Sequence, residues 1–286
     1  MALIGWAAIL GACAWIPQLI IIIYYFFVKP KLRFSPGPTV EVGYSQYGPI
    51  LNPSFGISTS RKNALIEKIE LKVIHESGTK REFIWQFLSE APSEMETSTG
   101  ESQLYRRTQP VTALKVTSTT IIGTKIGFQD NAFIEKKTSI INKLIKKDEH
   151  IKKKRPQEYP DALFKEIEWT DVENFIKNEF YWKAGKYQVF LKAYHTSSRK
   201  PHIECYTFSL IQTYIDRLER NIEITINSLK NIFLFDAKII PSLPKPTWNW
   251  INPLIQRQEI KSQKTNPNKR SQKGKQSRKA VDFLED

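Results

Sequence analysis

Two cysteines in 286 residues, Cys13 and Cys205, exclude a disulfide framework: one lies in an apolar run and the other far along the chain. Histidine is scarce as well, at four. The best metal-ligand grouping is His195, His202 and Cys205 around one hairpin. In an extended strand, however, residues an odd number apart point to opposite faces, so His202 and Cys205 diverge and no zinc site is expected. The chain has no glycine-rich phosphate loop, no Gly-x-Ser-x-Gly elbow and no His-Glu-x-x-His. Nothing beside Cys205 would lower its thiol pKa. Asn-x-Ser/Thr is missing too, because the one near-match, Asn52-Pro53-Ser54, carries a proline. These absences predict a non-catalytic protein with no cofactor and no metal.

The absence with the largest consequence is of charge: none of the first 28 residues is charged, and Lys29, Lys31 and Arg33 follow at once. As a helix, Met1 to Val28 would reach roughly 42 Å, more than the ~30 Å a bilayer core requires. Trp6 and Trp15 lie on one side of its isoleucine-rich centre, and Tyr24 and Tyr25 lie beside the basic flank, where amphipathic rings favour the headgroup layer. Pro17 and Gln18 sit mid-span, as a kink or as a contact with another helix. Leu10-Gly11-Ala12-Cys13 looks like a lipoprotein cleavage motif, but no basic residue precedes it and cutting would leave Ile16–Val28 as a second apolar run. The sequence therefore predicts an uncleaved transmembrane helix over 1–28, a basic juxtamembrane linker over 29–38 and a single-pass membrane location. By the positive-inside rule the bulk of the chain is cytoplasmic. With the topology reversed it would be an extracytoplasmic envelope or adhesion domain.

The net charge of +14 is concentrated. Lys29–Arg33 carries +3, Phe133–Arg155 carries +6 and Gln256–Asp286 carries +5, leaving 22 basic and 22 acidic residues elsewhere. The folded body is therefore not itself a basic nucleic-acid-binding domain. Over Phe133–Arg155 the apolar Phe133, Ile134, Ile140, Ile141, Leu144, Ile145 and Ile151 recur at helical spacing. Lys136, Lys137, Lys143, Lys146, Lys147, Lys152, Lys153, Lys154 and Arg155 occupy the other positions. Two readings are open: the basic face lies on anionic lipid, or the apolar stripe packs onto the body and the lysines are solvated. Residues 256–280 are basic, polar and almost free of apolar residues, and Val281–Asp286 reverses that character as a short docking peptide; 256–286 is read as a disordered tail for lipid or nucleic acid.

Between these segments the pattern is mainly β. Ile69, Leu71, Val73 and His75 alternate with charged residues, as do Phe83, Trp85 and Phe87, with Glu76–Lys80 as the turn of a hairpin. Val40–Tyr44 and Phe55–Thr59 read as shorter strands, Ser89–Ser102 as loop, and Val111–Thr119, Ile121–Phe128 and Ile203–Leu210 as further strands. Thr170-Asp171-Val172-Glu173 matches a capping box opening a short helix. Gly185 followed by Tyr187 and the alternating Val189, Leu191 and Ala193 resembles the penultimate strand of an immunoglobulin-like sandwich, in which a tyrosine hydroxyl caps the corner. The resemblance covers a few residues and implies architecture only. The expected fold is an immunoglobulin-like β-sandwich over 39–210 with a helical insertion at 133–180. A covering helix from about Thr213 to Phe235 and a Pro/Trp-rich extended segment complete 211–255. The functional expectation is an interaction or scaffold module held near anionic lipid, with an unidentified protein partner; the alternative is a membrane-tethered nucleic-acid binder using the tail.

Overall fold

A computed structural model describes residues 15–90, 93–96, 102–105 and 108–259. The first half of the expected membrane span and nearly all of the expected tail lie outside them. Helix α1 (Ile16–Phe27) leads within three residues into β1 (Lys31–Ser45). Then come β2 (Gly48–Ser60), β3 (Ala64–His75), β4 (Lys80–Glu90), β5 (Ser93–Glu96), β6 (Ser102–Tyr105), β7 (Thr108–Pro110), β8 (Leu114–Val116) and β9 (Ile122–Gln129). Helices α2 (Asn131–Lys154), α3 (Asp161–Phe164) and α4 (Ile167–Asn178) follow, then β10 (Gly185–His195), β11 (His202–Leu210), α5 (Gln212–Asp236) and β12 (Gln256–Gln258).

The protein is mainly β, and its principal sheet is one antiparallel ladder in the order β1-β2-β9-β4-β3-β10-β11-β12. The strands are thus joined in a single sequence of neighbours, not in the two facing sheets of the expected immunoglobulin-like sandwich. Strands β7 and β8 pair with β4 and β3 at the positions where these two part company beyond Glu70 and Ile84. The inward-facing residues form one core whose largest fully buried members are Trp182, Tyr44, Tyr187, Tyr206, Phe34, Phe83 and Phe128. A filled interior of this kind is a packed core and not a ligand cavity.

The sheet nearly closes on itself. Residues 248–258 run between β1 and β11, the two strands that would otherwise end the ladder. Val40 and Val42 donate backbone hydrogen bonds to Pro253 and Ile251, Ile251 and Ile255 donate to Val42 and Pro38, and Gln256–Gln258 pairs with Cys205–Thr207. The Pro/Trp segment therefore docks on the body. Trp250 lies flat on the backbone of β1 at Gly43, so close that a Cβ there would stand 2.0 Å from Cζ3.

Local expectations met the structure unevenly. The β3–β4 hairpin and α5 lie where the periodicity put them. The tyrosine corner is present: Gly185 has φ +137°, and the Tyr187 hydroxyl accepts from the Lys183 amide (2.7 Å) and donates to the Lys183 carbonyl (2.9 Å). Strands β1 and β2 are much longer than read, and the expected linker at 29–38 is from Lys31 onward the start of β1. Asn52-Pro53 lies within β2, where β1 shifts register between Pro36 and Val40 and the ladder to β9 skips both residues. A missing N–H is tolerated at such an irregularity. Part of the expected loop at Ser89–Ser102 forms the small β5–β6 hairpin. Helix α4 opens at Ile167 instead of a cap at Thr170, because Trp169 and Val172 are buried and draw that turn into the helical layer.

All these helices stack at the end of the sheet farthest from α1. Asp130 caps α2, accepting from the Phe133 amide at 3.1 Å, and Phe133 packs beneath the β1–β2 turn. Tyr44 donates to the Ile176 carbonyl (2.6 Å), and Asn221 of α5 donates to the carbonyls of Tyr44 (2.9 Å) and Asn249 (2.8 Å). Arg81 joins the layers, bridging Asp130 (2.8 Å) and Glu179, which Lys136 also contacts (3.0 Å). Burial works against ionisation of Glu179, but Arg81 and Lys136 outweigh it and hold its carboxyl below the usual range.

As for the membrane span, no helix among the described residues is long and apolar enough to cross a bilayer. Helix α1 has 12 residues, roughly 18 Å. Pro17 stands in its first turn, where a missing donor costs nothing, and not at a mid-helix kink.

Two measurements check these contacts. Gly43→Ala should lower stability by about 1–3 kcal/mol through the clash with Trp250. In a Trp250→Ala background the same substitution should cost much less, read as a coupling in thermal unfolding. Arg81→Met should cost about 2–3 kcal/mol by leaving Asp130 to the Phe133 amide and Glu179 to Lys136, and urea denaturation reads it.

Candidate functional site at the end of the sheet near α1

The register places a set of polar and basic residues around one opening. Lys31 pairs with Ser60 and Arg33 with Ser58 across β1–β2, and His202 pairs with Ala193 across β10–β11. All lie at the end where α1 arrives; the Tyr24 hydroxyl donates to the Arg61 carbonyl in the β2–β3 turn at 3.0 Å. The neighbouring β10–β11 loop, Thr196 to Lys200, forms with Lys29 a shallow depression of about 530 Å³. Lys29, Lys31, Arg33, Arg199 and Lys200 thus lie at one end of the sheet, with Glu67 acting on His195 and Glu204 lining the same cleft as Lys31 and Arg33.

Glu204 is the centre of this end. Along β11 the inward positions are Glu204, Tyr206, Phe208 and Leu210, so a carboxylate occupies a core-facing position and is only 3% exposed. A buried charge must be fully engaged. One oxygen, Oε1, accepts from the Phe34 amide (3.2 Å) and faces His202 Nε2 (2.9 Å). The other, Oε2, accepts from the Tyr206 hydroxyl (2.8 Å) and from Arg257 Nη2 (3.1 Å). Burial works against ionisation, yet His202, Tyr206, the Phe34 amide and Arg257 together hold this carboxyl below the usual range. The Phe34 and His202 rings stack with centroids 5.9 Å apart. Four groups from β1, β11 and β12 are therefore tied to one anion at the seam of the sheet.

Beside this hub opens a cleft of about 480 Å³ lined by Lys31, Arg33, Ser58, Ser60, His202 and Arg257, with Leu32, Thr59 and Glu204 behind them. The Thr59 hydroxyl is committed to the Lys62 carbonyl at 3.0 Å. Cys205 faces the other way, toward Gln258, and burial pushes its thiol up to about 11, so it is a poor nucleophile. His195 is buried with no partner for Nδ1; burial, then His202 and Lys29, lower its pKa and favour the neutral ring.

Of the basic residues singled out from the sequence, the structure brings together only the first three. Lys136, Lys137, Lys143, Lys146, Lys147, Lys152, Lys153, Lys154 and Arg155 lie on or just after α2, which leaves the sheet at Gln129, the opposite end. Strand β1, which spans the two ends, is about 45 Å long. Several of these cations are engaged locally: Lys136 with Glu179, Lys147 with Glu166 (2.9 Å), Lys152 with Asp148 (2.7 Å). Lys137 donates to the Gln46 carbonyl at 2.6 Å. Phe133, Leu144 and Ile151 are buried, so the apolar stripe of α2 packs onto the body.

Sequence reasoning missed Glu204, Arg257, Arg199 and Lys200, and weighed His202 only as a metal ligand. The legible signal was the alternation His202-x-Glu204-x-Tyr206-x-Phe208, which puts two ionisable residues on the same face as core aromatics. No protein-family model matches this chain, and comparison with curated proteins and with solved structures finds no match.

The depressed Glu204 carboxyl makes its contribution complete above about pH 5, where unfolded-chain glutamates are ionised, and lost as pH falls through its lower folded value. Glu204→Gln should therefore be less stable than the native chain at pH 7. The gap in Tm should narrow as the pH is lowered toward about 3, followed by circular dichroism melts.

Proposed function

We propose that this chain is a membrane-anchored, non-catalytic binding module whose sheet stands end-on over an anionic bilayer surface. The observation that carries the reading is α1: Trp15, Ile16, Leu19, Ile20, Ile21, Ile22 and Ile23 are each at least half exposed, on every side of the helix. An apolar helix with no polar face needs lipid or protein around it. It lies within the charge-free run that begins at Met1, and that run of 28 residues exceeds the ~20 apolar residues a span requires. Only Val28, Lys29 and Pro30 separate α1 from β1, so the rim of Lys29, Lys31, Arg33, Arg199 and Lys200 stays close to wherever α1 ends. Each such cation near an anionic leaflet contributes about 1 kcal/mol. The basic flank argues for a cytoplasmic body.

In this reading the α2 lysines do not share the rim's membrane contact. The helical layer faces away from the anchoring bilayer and offers Lys143, Lys146, Lys153 and Lys154 to a protein partner.

Two readouts on the full chain test this. In fractionated cells the protein should stay with membranes through high salt and alkaline carbonate and leave with detergent; release by salt alone rejects the anchor. In a Cys13→Ser background, dye on Ser198→Cys should transfer energy to a headgroup acceptor in anionic nanodiscs far more efficiently than dye on Glu149→Cys. The reverse order, or equal transfer, rejects the end-on pose.

A further inference from the structure

We infer that the cleft at the seam between β1 and β11 is a phosphate-binding site, taking a phosphate monoester group carried either by a lipid headgroup or by a small soluble molecule. Four cationic or protonatable residues, Lys31, Arg33, His202 and Arg257, line it from three strands. Arg257 offsets the charge of Glu204, the one carboxylate among the described lining residues, and four donors fill its two oxygens, so the surplus positive charge of the cleft comes from Lys31 and Arg33. What Glu204 does is hold His202 and Arg257 in place on the cleft wall, in the way a buried second group orients a binding residue. Lys31 and Arg33 bring two further charges from exposed positions on β1, and neither enters an ion pair among the described residues. Ser58 and Ser60 stand directly across from them and add hydroxyl donors.

The chemistry of this set selects phosphate. A guanidinium fork, an ammonium group and hydroxyls around one concavity suit a compact dianion with several acceptor oxygens. A carboxylate would use only part of the set. The volume of about 480 Å³ exceeds a phosphate alone and leaves room for the glycerol or sugar that carries it.

The position also fits. Lys31 is three residues beyond Val28, and at ~3.3 Å per strand residue Arg33 lies about 16 Å past that point. The headgroup layer extends roughly 5–7 Å beyond the hydrocarbon, so Lys31, about 10 Å past Val28 along the strand, stands a few Å outside it. A monoester headgroup, which projects farther than a diester, would reach that lysine. This inference rests on the proposed anchoring only for the source of the phosphate; the cleft itself does not depend on it.

The test uses the full chain in phosphatidylcholine nanodiscs. Calorimetry is run with inorganic phosphate and glycerol 3-phosphate, and in parallel with discs in which part of the lipid is phosphatidate. Saturable binding of at least one of the three probes is expected. Lys31→Gln/Arg33→Gln should weaken it by at least about ten-fold with Tm almost unchanged, since both side chains are exposed. Lys143→Gln/Lys146→Gln on α2 should leave affinity as it was. Binding of the soluble probes assigns a soluble ligand; competition from phosphatidate discs, or binding to these alone, assigns a headgroup. No saturable binding of any probe overturns the inference, as does equal weakening by both pairs of substitutions. Either failure, in protein that still resists carbonate extraction, leaves the anchoring reading standing.

Discussion

The constraint on which the rest depends is that β1 and β11 cannot end the sheet with their backbone groups unpaired. Strand edges that carry core residues on one face need partners, by pairing, covering or closure. Here closure falls to a segment distant in sequence, 248–258, which has little strand character of its own. One proline, Pro253, and two tryptophans, Trp248 and Trp250, limit how regular it can be. It makes isolated backbone hydrogen bonds to β1 at Val40 and Val42, switches allegiance, and pairs with β11 through only three residues. Because β12 is so short, the last stretch of the seam is closed by side chains instead. Glu204 takes the Phe34 amide, and the Tyr206 hydroxyl donates to Glu204 from the neighbouring inward position.

That substitution of side chains for a ladder explains why a charged group faces the core. Glu204 is expensive to bury, and it is held by an amide, a hydroxyl, an imidazole and a guanidinium. The same arrangement leaves an opening where a backbone strand would otherwise fill the space, and it lines that opening with the cations that neutralise Glu204. The seam is thus both the weakest part of the hydrogen-bonded sheet and the part with the most concentrated polar chemistry.

The molecule is also polar along its length. At one end are α1, the basic rim and the cleft; at the other are α2, α4 and α5, tied to the sheet through Tyr44, Asn221 and the Arg81 network. Two of the three basic segments, Lys29–Arg33 and Phe133–Arg155, lie at ends separated by the length of β1. Net charge by segment could not reveal this, because it carries no information about which end of a strand a helix leaves from.

Local pattern was enough to establish the β-rich class, the β3–β4 hairpin, the tyrosine corner at Gly185 and Tyr187, and the helical character of residues 131–154 and 212–236. Each depends on interactions within a few residues or on a hydrophobic period, which are written in order along the chain. Strand neighbours were not legible in this way. Whether β3 lies beside β10 or across from it depends on pairings more than 100 residues apart, and alternation alone serves two facing sheets or one nearly closed sheet equally well. The long β1 and β2 were hidden by prolines that a register shift accommodates, and the start of α4 by a capping motif that packing overrode. The cleft needed tertiary structure altogether: Lys31, Ser58, His202 and Arg257 meet only because the sheet curls until its first and last strands approach. The sequence by itself determined which segments are apolar, basic or alternating, since those are properties of neighbours in the chain. Only the closure of the sheet decided which of them share a surface.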